Sequence, residues 1–162
     1  MLRFRVLSDI IFLKGDVDMI YTKMTKKALK LCFDVHKEQV DKSGMPYVFH
    51  PFHLAEQMTD EVTTVVALLH DVVEDSDITF EDLEKEGFEK SVIDALKLLT
   101  HKDKSVLYMD YVAKIKGNPI ATAVKLADLR HNTDLTRLDV IDQKALTRRK
   151  NYLDAIMLLE GK

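Results

Sequence analysis

Val62-Thr63-Thr64-Val65-Val66-Ala67-Leu68-Leu69-His70-Asp71-Val72-Val73-Glu74-Asp75 is the stretch on which the reading of this chain turns. With His70 set at zero and about 100° per residue, Asp71 falls at about 100°, Glu74 at about 40° and Asp75 at about 140°. Val62, Val65, Val66, Leu69, Val72 and Val73 all fall between about 200° and 320°. One arc of the helix is therefore oily, and the opposite arc carries an imidazole and three carboxylates. A helix that merely faces water usually offers Lys and Glu there. An adjacent His-Asp pair with two more acids one turn on supplies donors that suit a divalent cation such as Mn²⁺, Fe²⁺ or Zn²⁺.

Working outward, the composition sets limits. The 162 residues give room for one domain with a sizeable core. A hydrophobic content of 46%, with five Gly and three Pro, favours an ordered globular chain over a disordered one. The formal charge of −3 offers no basic surface, so no nucleic-acid partner is expected. The single cysteine, Cys32, excludes an internal disulfide, fits a reducing cytoplasm, and sits on an apolar face as a buried thiol. No run approaches the ~18 apolar residues of a membrane helix, so no membrane partner is expected either. Residues 1–22 read as an irregular extension, in which Asp9 and Lys14 cut the apolar cluster Ile10–Leu13 short of a signal-peptide core. Met19 would serve as an alternative start.

The rest reads as helix after helix, an all-α domain over residues 23–162. Ala28, Leu31, Cys32, Val35 and His36 keep a helical period, which Ser43-Gly44-Met45-Pro46 breaks. His50-Pro51 opens a short helix carrying Phe52, Leu54, Ala55 and Met58. The His-Asp helix spans roughly 60 to 74. Thr79 and Asp82 form a capping-box pattern, and Gly87 provides a stop. Val92, Ala95, Leu96 and Leu99 predict another helix, followed by a polar loop from Thr100 to Ser105. A helix over Val106 to Lys116 ends at Gly117-Asn118, and Pro119 starts the next. The last helix, from about Asp142, presents Ala145, Leu146, Tyr152, Leu153, Ile156 and Leu159.

A metal site needs donors from several elements, so His70 and Asp71 require help. The candidates are His36, His50, His53, His101, Asp128 and His131. Asp128 lies among Ala121, Val124, Ala127 and Leu129, where an unpaired carboxylate is costly. Asn132 follows it by one turn on the same face. His50, beside Pro51 at a helix entrance, can be aimed inward. His50, His70, Asp71 and Asp128 thus form a credible tetrad. The alternative is that His50 caps a helix and Asp128 pairs with a lysine such as Lys125.

The order His…His-Asp…Asp resembles that of the HD superfamily of metal-dependent phosphohydrolases. Three longer strings are similar to the hydrolase domain of the RelA/SpoT family: Lys42-Ser43-Gly44-Met45-Pro46-Tyr47-Val48-Phe49-His50-Pro51, His70 to Asp75, and Val124 to Asn132. The resemblance spans approximately residues 23 to 160 and implies an HD-domain helical bundle. It implies removal of the 3′-pyrophosphate from the guanosine alarmones ppGpp and pppGpp, a small nucleotide being the partner. It also implies metal ligation by His50, His70, Asp71 and Asp128, usually to Mn²⁺, with Fe²⁺, Co²⁺ or Zn²⁺ as other occupants. Glu74 and Asp75 match the acidic pair assigned to activating the attacking water. Lys42, Ser43, Asn132, Arg148 and Tyr152 match positions that touch the nucleotide, and Arg148 and Tyr152, four apart, can face one pocket.

The chain also departs from that pattern. Bifunctional relatives carry an arginine before the Lys-Ser-Gly string, where it stacks on guanine, and this chain has Asp41 there. A carboxylate cannot supply a cationic planar stack, so the resemblance leaves the base preference open. His36-Lys37-Glu38-Gln39 lacks the usual glycine of the His-x-Gly-Gln string. The synthetase and regulatory domains of longer relatives are not expected. Two alternatives are kept: an HD phosphohydrolase acting on another nucleotide such as NADPH or a nucleoside monophosphate, and a non-catalytic alarmone-binding module.

Overall fold

The computed structural model describes residues 19–103 and 105–161. Among them are nine α-helices, one 3₁₀ turn and no strand, so the fold is all-α as the periodicities predict. The first eighteen residues, most of the expected extension, lie outside the described residues. Met19, within the span expected to be irregular, is buried in the core.

Local chemistry sets the helix ends. Thr22 and Thr25 close a capping box at the start of α1 (Lys23–His36). The second helix, α2 (Phe49–Glu56), opens one residue before His50, so Pro51 occupies its first turn, where a missing N–H costs no intrahelical bond. The capping box of Thr79 and Asp82 starts α5 (Phe80–Lys85), and Gly87 ends that segment at a φ of 86°. The amphipathic α6 (Lys90–Leu99) and α7 (Tyr108–Ile115) flank the polar loop. Asn118 caps α8 (Pro119–Thr133) with Pro119 in the first turn. A 3₁₀ turn, Leu135–Arg137, leads to α9 (Gln143–Glu160), which Asp142 caps and Gly161 closes at a φ of 74°.

The expected single helix over 60 to 74 is instead two. Asp60 caps α3 (Glu61–Leu69), which ends at His70, and α4 (Val72–Asp75) begins after Asp71. Asp71 sits at φ −103° and ψ −7°, out of line with the helix, so its side chain turns back toward His70. A continuous helix would set the two side chains about 100° apart. The oily arc is also wider than the helical wheel predicts: every residue from Thr63 to Leu69 is buried. Two threonines tolerate this because both hydroxyls bond back to Asp60, Thr64 to its carbonyl and Thr63 to its carboxylate, each at 2.7 Å.

Buried on all sides, α3 is the axis of the bundle. It packs against α1, α2, α6 and α8, and α9 covers α7 and α8 from outside. Leu68 and Leu69 have no exposed surface, and Cys32 is buried as expected. Burial pushes the Cys32 thiol up to about 12, which suits an inert core residue. The reading of α9 needs a correction. Ala145, Ala155 and Leu159 are buried, whereas Leu146 and Leu153 are exposed, because the helix contacts the bundle along a narrower stripe than its apolar residues suggest.

Candidate metal centre and nucleotide cleft

Three separate helical elements bring four of the predicted residues to one place. His50 comes from the first turn of α2, His70 and Asp71 from the break between α3 and α4, and Asp128 from the middle of α8. Donor atoms of His50, His70 and Asp71 all lie within 4.8 Å of one another. His70 Nε2 is 3.0 Å from Asp71 Oδ2, and His50 Nε2 is 3.2 Å from Asp128 Oδ1. All four line a single cavity of about 330 Å³, whose walls also include Glu74, Lys125 and Asn132.

Each donor is held from behind. Nδ1 of His70 lies 2.8 Å from the carbonyl of Ala67, which fixes Nε2 toward the cavity. Nδ1 of His50 lies 2.6 Å from Nδ1 of His131, whose ring stacks on that of His50. Tyr47 donates its hydroxyl to Asp71. Asn132 donates to Asp128 Oδ1 at 2.6 Å, and Lys125 donates to Oδ2 at 2.8 Å. Asp128 thus pairs with Lys125 and touches His50, while the donor atoms that lie within 4.8 Å of one another are those of His50, His70 and Asp71.

Electrostatics shows what the cluster suits. Burial would raise the Asp128 carboxyl, but Lys125 and His50 outweigh it and hold the group well below the usual carboxylate range. Burial would lower His70, yet Asp71 outweighs it and raises the imidazole to about 9. The two carboxylates each disfavour the other's charge, as the effect of Asp128 on Asp71 shows. Two imidazole nitrogens and two carboxylates around a cavity, kept in balance by a proton and one lysine, suit a divalent cation in place of that proton.

Glu74 lines the same cavity, and its Oε2 accepts the backbone N–H of His101 at 3.0 Å. Asp75 lines neither this cavity nor the neighbouring one. Partial burial and the nearby Asp71 and Glu74 raise its carboxyl. The acidic pair is therefore split, with one member facing the cavity and one outside it.

A second cavity of about 440 Å³ shares the walls formed by Tyr47, His50 and Asn132. Lys42, Arg148 and Tyr152, three of the residues that the resemblance implies at a nucleotide, line it. Ser43 does not: its hydroxyl donates to the carbonyl of Arg137 at 2.8 Å and its N–H to Asp41 at 2.9 Å. Burial, then the charges of Arg148 and Arg137, lower the Lys42 ammonium, so the pocket holds cations that repel one another. Such a cleft favours an anion.

Of the other histidines, His36 sits behind Tyr47, His53 packs against His131, and His101 stacks on Tyr111. Sequence reasoning assigned no site role to Tyr47, Lys125 or Arg137. Tyr47 stands inside a quoted string, and Lys125 is one turn before Asp128. Arg137 carries no local signal, since it follows α8 in a polar run.

No family model matches the chain. Over 124 residues it is 34% identical to the bifunctional (p)ppGpp synthase/hydrolase SpoT of Escherichia coli K12, covering 68% of this chain and 18% of that protein. It is 30% identical over 118 residues to the guanosine-3′,5′-bis(diphosphate) 3′-pyrophosphohydrolase of Aquifex aeolicus, covering 66% of this chain and 17% of the relative. The chain thus spans less than a fifth of the length of these curated relatives. Among solved structures, a metazoan ortholog of SpoT that hydrolyses ppGpp superposes with a TM-score of 0.71 at 27% identity, over 88% of both chains.

Proposed function

Because the chain belongs to the RelA/SpoT-type HD hydrolase family, we propose that residues 23–162 form a metal-dependent hydrolase that removes the 3′-pyrophosphate from ppGpp and pppGpp, leaving GDP or GTP. The observation that carries this reading is the shared wall between the two cavities. Tyr47, His50 and Asn132 separate an acidic, histidine-bearing cavity from a cationic one large enough for a nucleotide. A metal that engages a phosphoryl group on one side therefore lies beside a pocket for the rest of the substrate on the other.

His50, His70, Asp71 and Asp128 are the ligands in this proposal, and Mn²⁺ is the ion. A divalent cation there lowers the pKa of a bound water and offsets charge on the phosphoryl oxygens. Glu74 acts as general base: its carboxylate is held by the His101 N–H and lines the cavity. Asp75 is the second acid of the pair, its own carboxyl raised by burial and by Asp71 and Glu74. Lys42 and Arg148 neutralise the diphosphates, Tyr152 and Asn132 pack along the nucleotide, and Ser43 shapes the loop that carries Lys42.

Protein loaded with Mn²⁺ is assayed for pyrophosphate release from ppGpp, with NADPH and a nucleoside monophosphate as competitors. Turnover of ppGpp above both, abolished by a chelator, supports the proposal. Preference for NADPH overturns the substrate, and tight ppGpp binding without turnover overturns the enzyme.

A further inference from the structure

A planar cation from a distant part of the chain, Arg137, stands against the carboxylate of Asp41. Arg137 Nη2 lies 3.4 Å from Asp41 Oδ2, and Arg137 Nη1 donates to the His131 carbonyl at 3.1 Å. Asp41 is itself fixed, its Oδ1 accepting the N–H groups of Ser43 at 2.9 Å and Met45 at 3.0 Å. The hydroxyl of Ser43 in turn holds the Arg137 carbonyl. Loop 40–46 and the 3₁₀ turn are thereby clamped together, with Asp41 and Arg137 both on the wall of the cationic cavity.

The cations of this cavity differ in one respect. Among the described residues, Lys42 and Arg148 have no carboxylate in ion-pair contact, whereas Arg137 is offset by Asp41. An offset guanidinium attracts phosphate weakly but keeps its flat, polarisable face. The apolar side chains of Val40, Leu135 and Leu138 line the same cavity. Apolar walls beside a clamped planar cation suit an aromatic ring better than a phosphate.

We propose that Arg137, oriented by Asp41, is the platform on which the purine ring of the substrate stacks, and that Asp41 is a positioning residue for it. This rests on the nucleotide reading above. The phosphates then fall to Lys42 and Arg148, and the base to the end of the cleft bounded by the 3₁₀ turn.

The test is equilibrium binding of GDP and of inorganic pyrophosphate to the Mn²⁺-loaded chain and to the variants Arg137→Ala and Arg137→Lys. Both variants are expected to weaken GDP about tenfold, since lysine keeps the charge and loses the plane, and to leave pyrophosphate unchanged. Metal content and the thermal midpoint report that the variants are folded. Unchanged GDP binding, full binding in Arg137→Lys, or equal loss of GDP and pyrophosphate would each overturn the stacking role. If the unmodified chain neither binds GDP nor releases pyrophosphate from ppGpp, the hydrolase reading itself falls. Turnover of ppGpp with no effect at position 137 overturns only this inference.

Discussion

His50 and Asp128 meet at 3.2 Å across the junction of α2 and α8, and that contact joins two motifs far apart in the chain. Asp128 is also the partner of the buried Lys125, at 2.8 Å. One carboxylate thus faces the cavity proposed to hold the metal and neutralises a lysine inside the protein.

That double duty predicts a double loss. Asp128→Ala leaves the Lys125 ammonium buried and unmatched, which costs about 3–5 kcal/mol of stability for a broken buried pair. The same variant should bind no Mn²⁺. Urea unfolding and metal analysis check both, and a variant that keeps its metal would remove Asp128 from the ligand set.

Asp71 and Glu74 should separate metal binding from turnover. Asp71→Ala is expected to abolish metal content and activity together. Glu74→Gln retains an acceptor for the His101 N–H and cannot take a proton, so metal should stay while the rate drops by about 10²–10⁴. Near-normal turnover in Glu74→Gln would end its assignment as the base.

Tyr47 donates its hydroxyl to Asp71 and lines both cavities. If Asp71 is a ligand as proposed, removing such a partner from behind it weakens metal binding or activity about 10–100-fold. Tyr47→Phe should show that loss in a competition titration with a chelator while the fold is retained. Unaltered metal affinity and unaltered rate would show that the hydroxyl does not orient Asp71.

The metal-free protein should be most stable near pH 6.5. Asp71 raises His70 to about 9, so its contribution is complete below the ordinary histidine range and is lost as the pH rises through 9. His131 runs the other way: burial, then His50, Arg137 and His53, depress it to about 3. It binds its proton more readily in the unfolded chain, so stability falls as the pH drops below about 6.5. Thermal midpoints between pH 5 and 9 should trace a dome. Metal affinity should instead rise with pH up to about 9, because His70 must give up a proton to bind. A flat profile would contradict the His70–Asp71 pairing.

Much of this was legible in the residues, and the misses have physical causes. Helix ends announced themselves where a side chain closes a cap, as at Thr79 with Asp82, and where a proline opens the helix, as at Pro119. The break between His70 and Asp71 did not, because a helical wheel assumes a straight helix and only packing bends one. Leu146 and Leu153 misled for a related reason: apolarity says that a residue can be buried, and the neighbours decide whether it is.

By itself, the sequence determined the all-α class, most of the helices and the four metal-ligand candidates, since periodicity and caps are local and an acid among alanines and valines needs a partner. Only the tertiary structure decided that Glu74 faces the cavity while Asp75 does not, that Ser43 serves the loop, and that Arg137 stands against Asp41. Those are contacts between segments distant in the chain. Their geometry follows from how α2, α8 and the 3₁₀ turn pack around α3, which no single stretch of sequence encodes.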